Sequence, residues 1–178
     1  MSKEAQGLVN YASIRPLALS IKEKLVEGKK FKYIEILDFA GRNPLVDLGT
    51  PHLRTRWNVT NLLVTFQEIN VKVSPWVENL EFALAFELFI ASQMIFKELS
   101  PTFRLPEPPL GEGHPQVCKI HTLSANVNPP QAPIVPPGQQ VLLGIKFEPL
   151  EGTKAAESLS ILGGTFEGGN ITMGYDRQ

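Results

Sequence analysis

The stretch from Ser74 to Pro101 constrains this chain most, because it is long, largely apolar and punctuated at both ends. Ser74 is a good helix N-cap and Pro75 fits the first helical position, where a missing N–H costs nothing. Glu78 and Glu81 complement the positive end of a helix dipole, Lys97 the negative end, and Pro101 forbids continuation. Val77, Leu80, Leu84, Leu88, Ala91, Ile95 and Leu99 recur at steps of three and four, and Phe82, Phe86, Phe89 and Phe96 form a second set. The spacing therefore predicts a central helix over 74–100 with apolar contact on two sides. Glu81, Glu87 and Gln93 interrupt a run already short of the roughly 20 apolar residues that a membrane helix needs, so no membrane span is expected.

At 178 residues, with 43% hydrophobic and 20% charged side chains, the chain suits a single domain over 1–178 with a genuine core. The net charge of -1 conceals an asymmetry. Through Val73 eleven Lys and Arg stand against seven Asp and Glu, and afterwards six stand against eleven. Cys118 is the only cysteine, which excludes an intrachain disulfide, and the polar start lacks the apolar core of a signal peptide. An intracellular, cytoplasmic setting is the expectation, and the sequons at Asn58 and Asn170 read as coincidental.

Pro16 to Glu27 reads as a short N-terminal amphipathic helix, with Leu17, Ile21 and Leu25 on one face and Gly28 as its stop. Lys22, Lys24, Lys29, Lys30 and Lys32 cluster around its end and could meet an anion. Phe31 to Leu37 and Leu45 to Leu48 read as strands, with a turn at Gly41-Arg42-Asn43-Pro44. Arg54, Arg56 and Trp57 form a candidate contact loop, since arginines beside an aromatic ring suit stacking on a base. Between Asn58 and Val73 the alternation changes phase, which implies either a bulge near Gln67 and Glu68 or two separate strands.

Ten of the fifteen prolines fall between Pro101 and Pro137, so 101–115 and 128–138 are expected to be extended connectors or arms. Gln116 to Val127 reads as one strand and Gln140 to Glu148 as another. Ser158 to Leu162, Thr165 to Glu167 and Ile171 to Tyr175 follow as short strands separated by glycine turns. The expected fold class is α+β, a β-rich sheet or sandwich packed on one long central helix.

No phosphate-cradling glycine loop is present, and Cys118 with His121 makes a poor metal pair, since three residues apart on a strand they point to opposite faces. No cofactor is expected, and an enzyme is disfavoured. The favoured reading is a non-enzymatic structural protein that self-associates or binds a protein partner. Its candidate interface is Phe82, Phe86, Phe89 and Phe96 with Pro106, Pro108 and Pro109. A small viral shell, matrix or movement-type protein is one concrete form, by analogy of size, β content and arms. Nucleic-acid binding through the five lysines with Arg42, Arg54, Arg56 and Trp57 is the alternative, followed by a small ligand-binding or enzymatic domain.

Overall fold

The computed structural model describes residues 7–74, 81–104, 116–148 and 161–178. Among them the chain forms fifteen β-strands and no helix. In order these are β1 (Leu8–Ile14), β2 (Leu17–Val26), β3 (Lys29–Asp38), β4 (Leu45–Gly49), β5 (Trp57–Phe66) and β6 (Glu68–Val73). Next come β7 (Glu81–Ile90), β8 (Gln93–Leu99), β9 (Phe103–Arg104), β10 (Gln116–Ile120) and β11 (Leu123–Val127). The chain closes with β12 (Ile134–Val135), β13 (Val141–Glu148), β14 (Ile161–Glu167) and β15 (Gly169–Arg177).

The strands build three antiparallel sheets. The first has the order β1-β15-β5-β11, with β12 also on β5; the second runs β10-β6-β14-β2-β3; the third runs β4-β13-β7-β8, with β9 also on β7. The first two are related strand by strand. β1 continues into β2, β5 into β6, β10 into β11 and β14 into β15, so four long segments each cross from one sheet to the other.

The crossing points are chemically distinct. Pro16 brings no donor to a ladder, and the Gln67 N–H is shared between the Glu167 and Gly168 carbonyls at 3.1 and 3.3 Å. Gly168 has a φ of +63°, and a Cβ there would lie 2.9 Å from Gln67 Cβ, so the corner requires glycine. The phase change at Gln67 thus separates two strands that belong to different sheets. The segment 116–127, read as one strand, also breaks at its crossing point, between Ile120 and Leu123.

The inward side chains of all three sheets join one buried cluster. Phe166 stands at their meeting point, 5.2 Å edge-on from Phe66 of the first sheet and 6.5 Å from Phe82 of the third. Phe82 also stacks on Phe147 of its own sheet at 5.7 Å. Such ring pairs add roughly 0.5–1.5 kcal/mol each beyond their area burial.

Neither expected helix forms, and the class is all-β rather than α+β. Over its described part, the stretch expected as a helix over 74–100 is the hairpin β7–β8, closed by the two-residue turn Ala91-Ser92 with φ of +53° and +65°. Strand β7 alternates by size instead of polarity. Phe82, Leu84, Phe86, Leu88 and Ile90 enter the core, while Ala83, Ala85, Glu87 and Phe89 take the other face. Because Ala83, Ala85 and Glu87 are buried as well, no polar face reports the period of two. The N-terminal helix over Pro16–Glu27 is instead strand β2, with Leu17 and Leu19 buried. Both misreadings share a cause, since a spacing of four residues keeps side chains on one face of a helix and of a strand alike.

Candidate interaction surfaces

Strands β2 and β3 pair over their whole length, from Leu17 with Asp38 to Val26 with Lys29. β14, however, pairs with β2 only from Leu17 to Leu19. Beyond Leu19 neither strand has another described ladder partner, so Ser20–Val26 and Lys29–Glu35 form a two-stranded ribbon roughly 20 Å long. Its tip is Glu27-Gly28, both at positive φ, as a two-residue hairpin turn requires. Leu25 is 67% exposed and Phe31 45%.

The five candidate lysines all lie on this ribbon, and the register divides them. Opposed residues share a face in an antiparallel pair. Lys22 opposes Tyr33, Lys24 opposes Phe31 and Lys29 opposes Val26, all on the face continuous with the outer face of the second sheet. Lys24 Nζ lies 5.4 Å from the Tyr33 ring centroid, within cation–π range. On the other face Lys32 opposes Glu23, and Lys30 opposes Leu25.

The other members of the expected nucleic-acid site lie elsewhere. Arg42 is beyond the opposite end of β3 and pairs with Asp38, its Nε 3.4 Å from Oδ2. Asp38 Oδ1 also accepts the Ala40 and Arg42 N–H groups at 2.9 Å each. Those bonds, that to Arg42 first, hold the carboxyl below its ordinary pKa. Arg54 and Arg56 are exposed in the connection between β4 and β5. Trp57 is buried at the start of β5 and packs on Tyr175 at 4.6 Å, so its ring offers no platform to a base.

The phenylalanine set is likewise divided. Phe82 and Phe86 are core, Phe96 packs against the core from β8, and Phe89 lies on the opposite face of β7. Pro106, Pro108 and Pro109 lie outside the described residues. Within 128–138, Pro133–Val135 lie along β5: Ile134 and Val135 pair with Asn58 and Trp57, and the Pro133 carbonyl accepts the Val59 N–H at 2.9 Å.

A surface that sequence reasoning missed is the outer face of the first sheet. Register aligns Ser13, Asn170, Thr65 and Ser124 in one row, and Tyr11, Thr172, Leu63 and Asn126 in the next. Val9, Gly174 and Asn61 make a third. No residue in these rows is charged. Tyr11 is 77% exposed, and Val9 and Leu63 are exposed as well. The rows between them, such as Ala12, Ile171, Val64 and Ala125, face the core.

The other outer faces carry ion pairs, Lys119 with Glu68 at 3.1 Å on the second sheet and Lys146 with Glu87 at 3.2 Å on the third. The Lys119 ammonium, chiefly through its hydrogen bond, holds Glu68 below its ordinary pKa. Cys118 is buried in β10, and burial pushes its thiol up, away from nucleophilic use.

An open cleft of about 610 Å³ lies between β1 and the β3–β4 connection, with Tyr11, Arg15, Asp38 and Arg42 among its lining. Among the described residues no three His, Cys, Asp or Glu side chains are grouped to hold a metal ion, and no helix is long and apolar enough to cross a membrane.

No family model and no curated protein matches the chain. Among solved structures, the empty virus-like particle of Cowpea mosaic virus, determined by electron cryo-microscopy, contains a chain that aligns with this one. The alignment covers 97% of this chain and 81% of that one, at 9% identity and a TM-score of 0.21. At that score the similarity carries no functional argument.

Proposed function

We propose that this is a non-enzymatic structural protein that assembles with copies of itself through the outer face of the first sheet. The observation that carries the reading is the absence of charge from three consecutive rows across that face, with Tyr11, Val9 and Leu63 exposed among Ser, Thr and Asn. Depletion of charge together with an exposed aromatic is the compositional mark of an interface centre. The eleven positions of these rows span on the order of 350 Å², somewhat under half of the roughly 800 Å² per partner in a stable contact. The face is therefore the dry centre of a larger contact completed by flanking residues.

Edge-to-edge pairing is a poorer route. The edge strand β8 exposes Met94, Ile95 and Leu99, but it also carries Lys97 and Glu98. Glu98 Oε2 is buried with no hydrogen-bond partner among the described residues, and charge of this kind guards an edge against a new strand. A small viral shell, matrix or movement-type protein is the concrete form of the proposal, an analogy that rests on size and all-β build.

Light scattering across a concentration series tests it. The wild type should grow in mass with concentration, and Tyr11→Glu with Leu63→Lys should raise the midpoint at least about tenfold while leaving the thermal melt in place. A wild type that stays monomeric throughout, or a doubly charged variant that assembles like it, refutes the assignment.

A further inference from the structure

We infer that the outer face of the β2–β3 ribbon binds single-stranded nucleic acid, with Lys22, Lys24 and Lys29 on the phosphates and Phe31 and Tyr33 under the bases. This function is separate from self-assembly and uses a different surface.

Register carries the inference. Each of the three outer lysines directly opposes an aromatic or aliphatic residue, and of the strand carboxylates only Glu35, diagonal to Lys22, shares their face, whereas Glu23 directly opposes Lys32 on the other face. The two rings are 45% and 38% exposed and lie two residues apart on one strand. That places them about 7 Å from each other, twice the roughly 3.4 Å rise between stacked bases. Bases resting on both rings are therefore splayed apart, which a single strand permits and an intact duplex does not. Interleaved lysines and rings are the combination by which proteins hold single strands without reading sequence. Lys24, poised over Tyr33, can swing to a phosphate as a base takes its place.

A lipid surface fits less well. The apolar residues at the tip, Leu25 and Val26, point to opposite faces, and each directly opposes a lysine. No apolar side of the ribbon can be buried without taking lysines with it.

The test is fluorescence anisotropy on a labelled oligouridylate of about a dozen nucleotides, titrated between roughly 50 and 200 mM salt. The expected result is salt-dependent binding that weakens at least tenfold in K22A/K24A/K29A. The slope of log affinity against log salt should fall by about 2, or 0.7 for each phosphate no longer neutralised. F31A/Y33A should weaken binding with the slope unchanged, and K30A/K32A on the other face should cost less than about threefold in affinity, as a loss of general charge alone would. K22R/K24R/K29R, which keeps the charge, should bind like the wild type and so separates missing charge from a collapsed ribbon.

Several results would overturn the inference. These are no salt-dependent binding by the wild type, equal losses from the two lysine sets, unimpaired binding by F31A/Y33A, or capture by phosphatidylserine vesicles without binding to the oligomer.

Discussion

The β7–β8 turn invites a stabilising substitution that tests the fold directly. Ala91 and Ser92 occupy a two-residue hairpin loop with φ of +53° and +65°, between Ile90 and its partner Gln93. Side chains with a Cβ lose on the order of 1–2 kcal/mol per residue in that conformation, and Asn-Gly is the pair that suits such a turn. Replacing Ser92 by glycine relieves the strain but returns about 0.4–1 kcal/mol through the more flexible unfolded chain. Asn at 91 relieves part of the strain at its own position. The net gain for Ala91→Asn with Ser92→Gly is about 1–2 kcal/mol, or roughly 2–8 °C in melting temperature for a domain of this size. β7 runs through the core and its turn-proximal Ile90 is buried, so the gain should register in global unfolding. Far-UV circular dichroism melts and urea titrations would measure it. Ala91→Pro, which forces φ to about −65°, should destabilise in the same assays. A double variant no more stable than wild type, or a proline variant that melts normally, would show that this loop is not the turn described.

Three further outcomes follow from other positions. Gly28 sits at φ +80° with nothing within 4 Å of an added Cβ, so Gly28→Ala is purely a backbone strain of about 1 kcal/mol. It should speed amide exchange across the ribbon while leaving the global melt within about a degree, because the ribbon opens locally. A Cβ at Gly169 would lie 2.7 and 2.8 Å from Phe66 ring carbons and 3.0 Å from Ile14 Cβ. Gly169→Ala should therefore cost about 1–3 kcal/mol in urea titration, and a neutral result would mean that the first sheet and the core are less closely packed there. Asp38 has a folded pKa below its ordinary value, so its contribution is complete above the unfolded pKa and is lost as pH falls through the folded one. Asp38→Asn should melt below wild type near neutral pH, and the gap should narrow as the pH falls below the ordinary carboxylate range; a gap constant with pH would refute the ionic part of the account.

How much of this was legible in the sequence depended on whether one segment carried the whole signal. Phe31–Leu37, rich in aromatic and β-branched residues, and Leu45–Leu48 both lie in strands, and the alternating run Gln140–Glu148 forms β13 from Val141 onward. The phase change at Gln67 also reported a real corner, because inserting one residue resets the period within a single stretch of chain. The set Leu80, Leu84 and Leu88 failed to discriminate because steps of four satisfy both periods. In β7 the period of two was written only in size, as the alternation of Phe82, Leu84 and Phe86 with Ala83 and Ala85. Ala91-Ser92 then concealed the turn, having neither glycine nor asparagine to mark it.

The candidate surfaces were less visible still. The five lysines stand out as a cluster, but their division between two faces needs the pairing of β2 with β3. The uncharged rows join residues as distant as Ser13, Thr65, Ser124 and Asn170. No stretch of the chain contains such a row, so only register reveals it.

The two proposed surfaces also make a joint prediction. The uncharged face belongs to the first sheet and the lysine ribbon to the second, so copies can meet through one while the other stays available. A single ribbon offers three lysines to phosphates and should bind a short strand weakly, with a steep salt dependence for its size. An assembly would present many ribbons to one long strand, and linkage of this kind raises apparent affinity by about 10²–10⁴ without any new contact. Tyr11→Glu with Leu63→Lys should therefore leave affinity for the short oligouridylate unchanged while abolishing the extra affinity for a long one. Competition between the two lengths, at protein concentrations above and below the assembly midpoint, measures the difference. If the long strand keeps its advantage in the assembly-defective variant, the two surfaces act independently and the coupling is wrong.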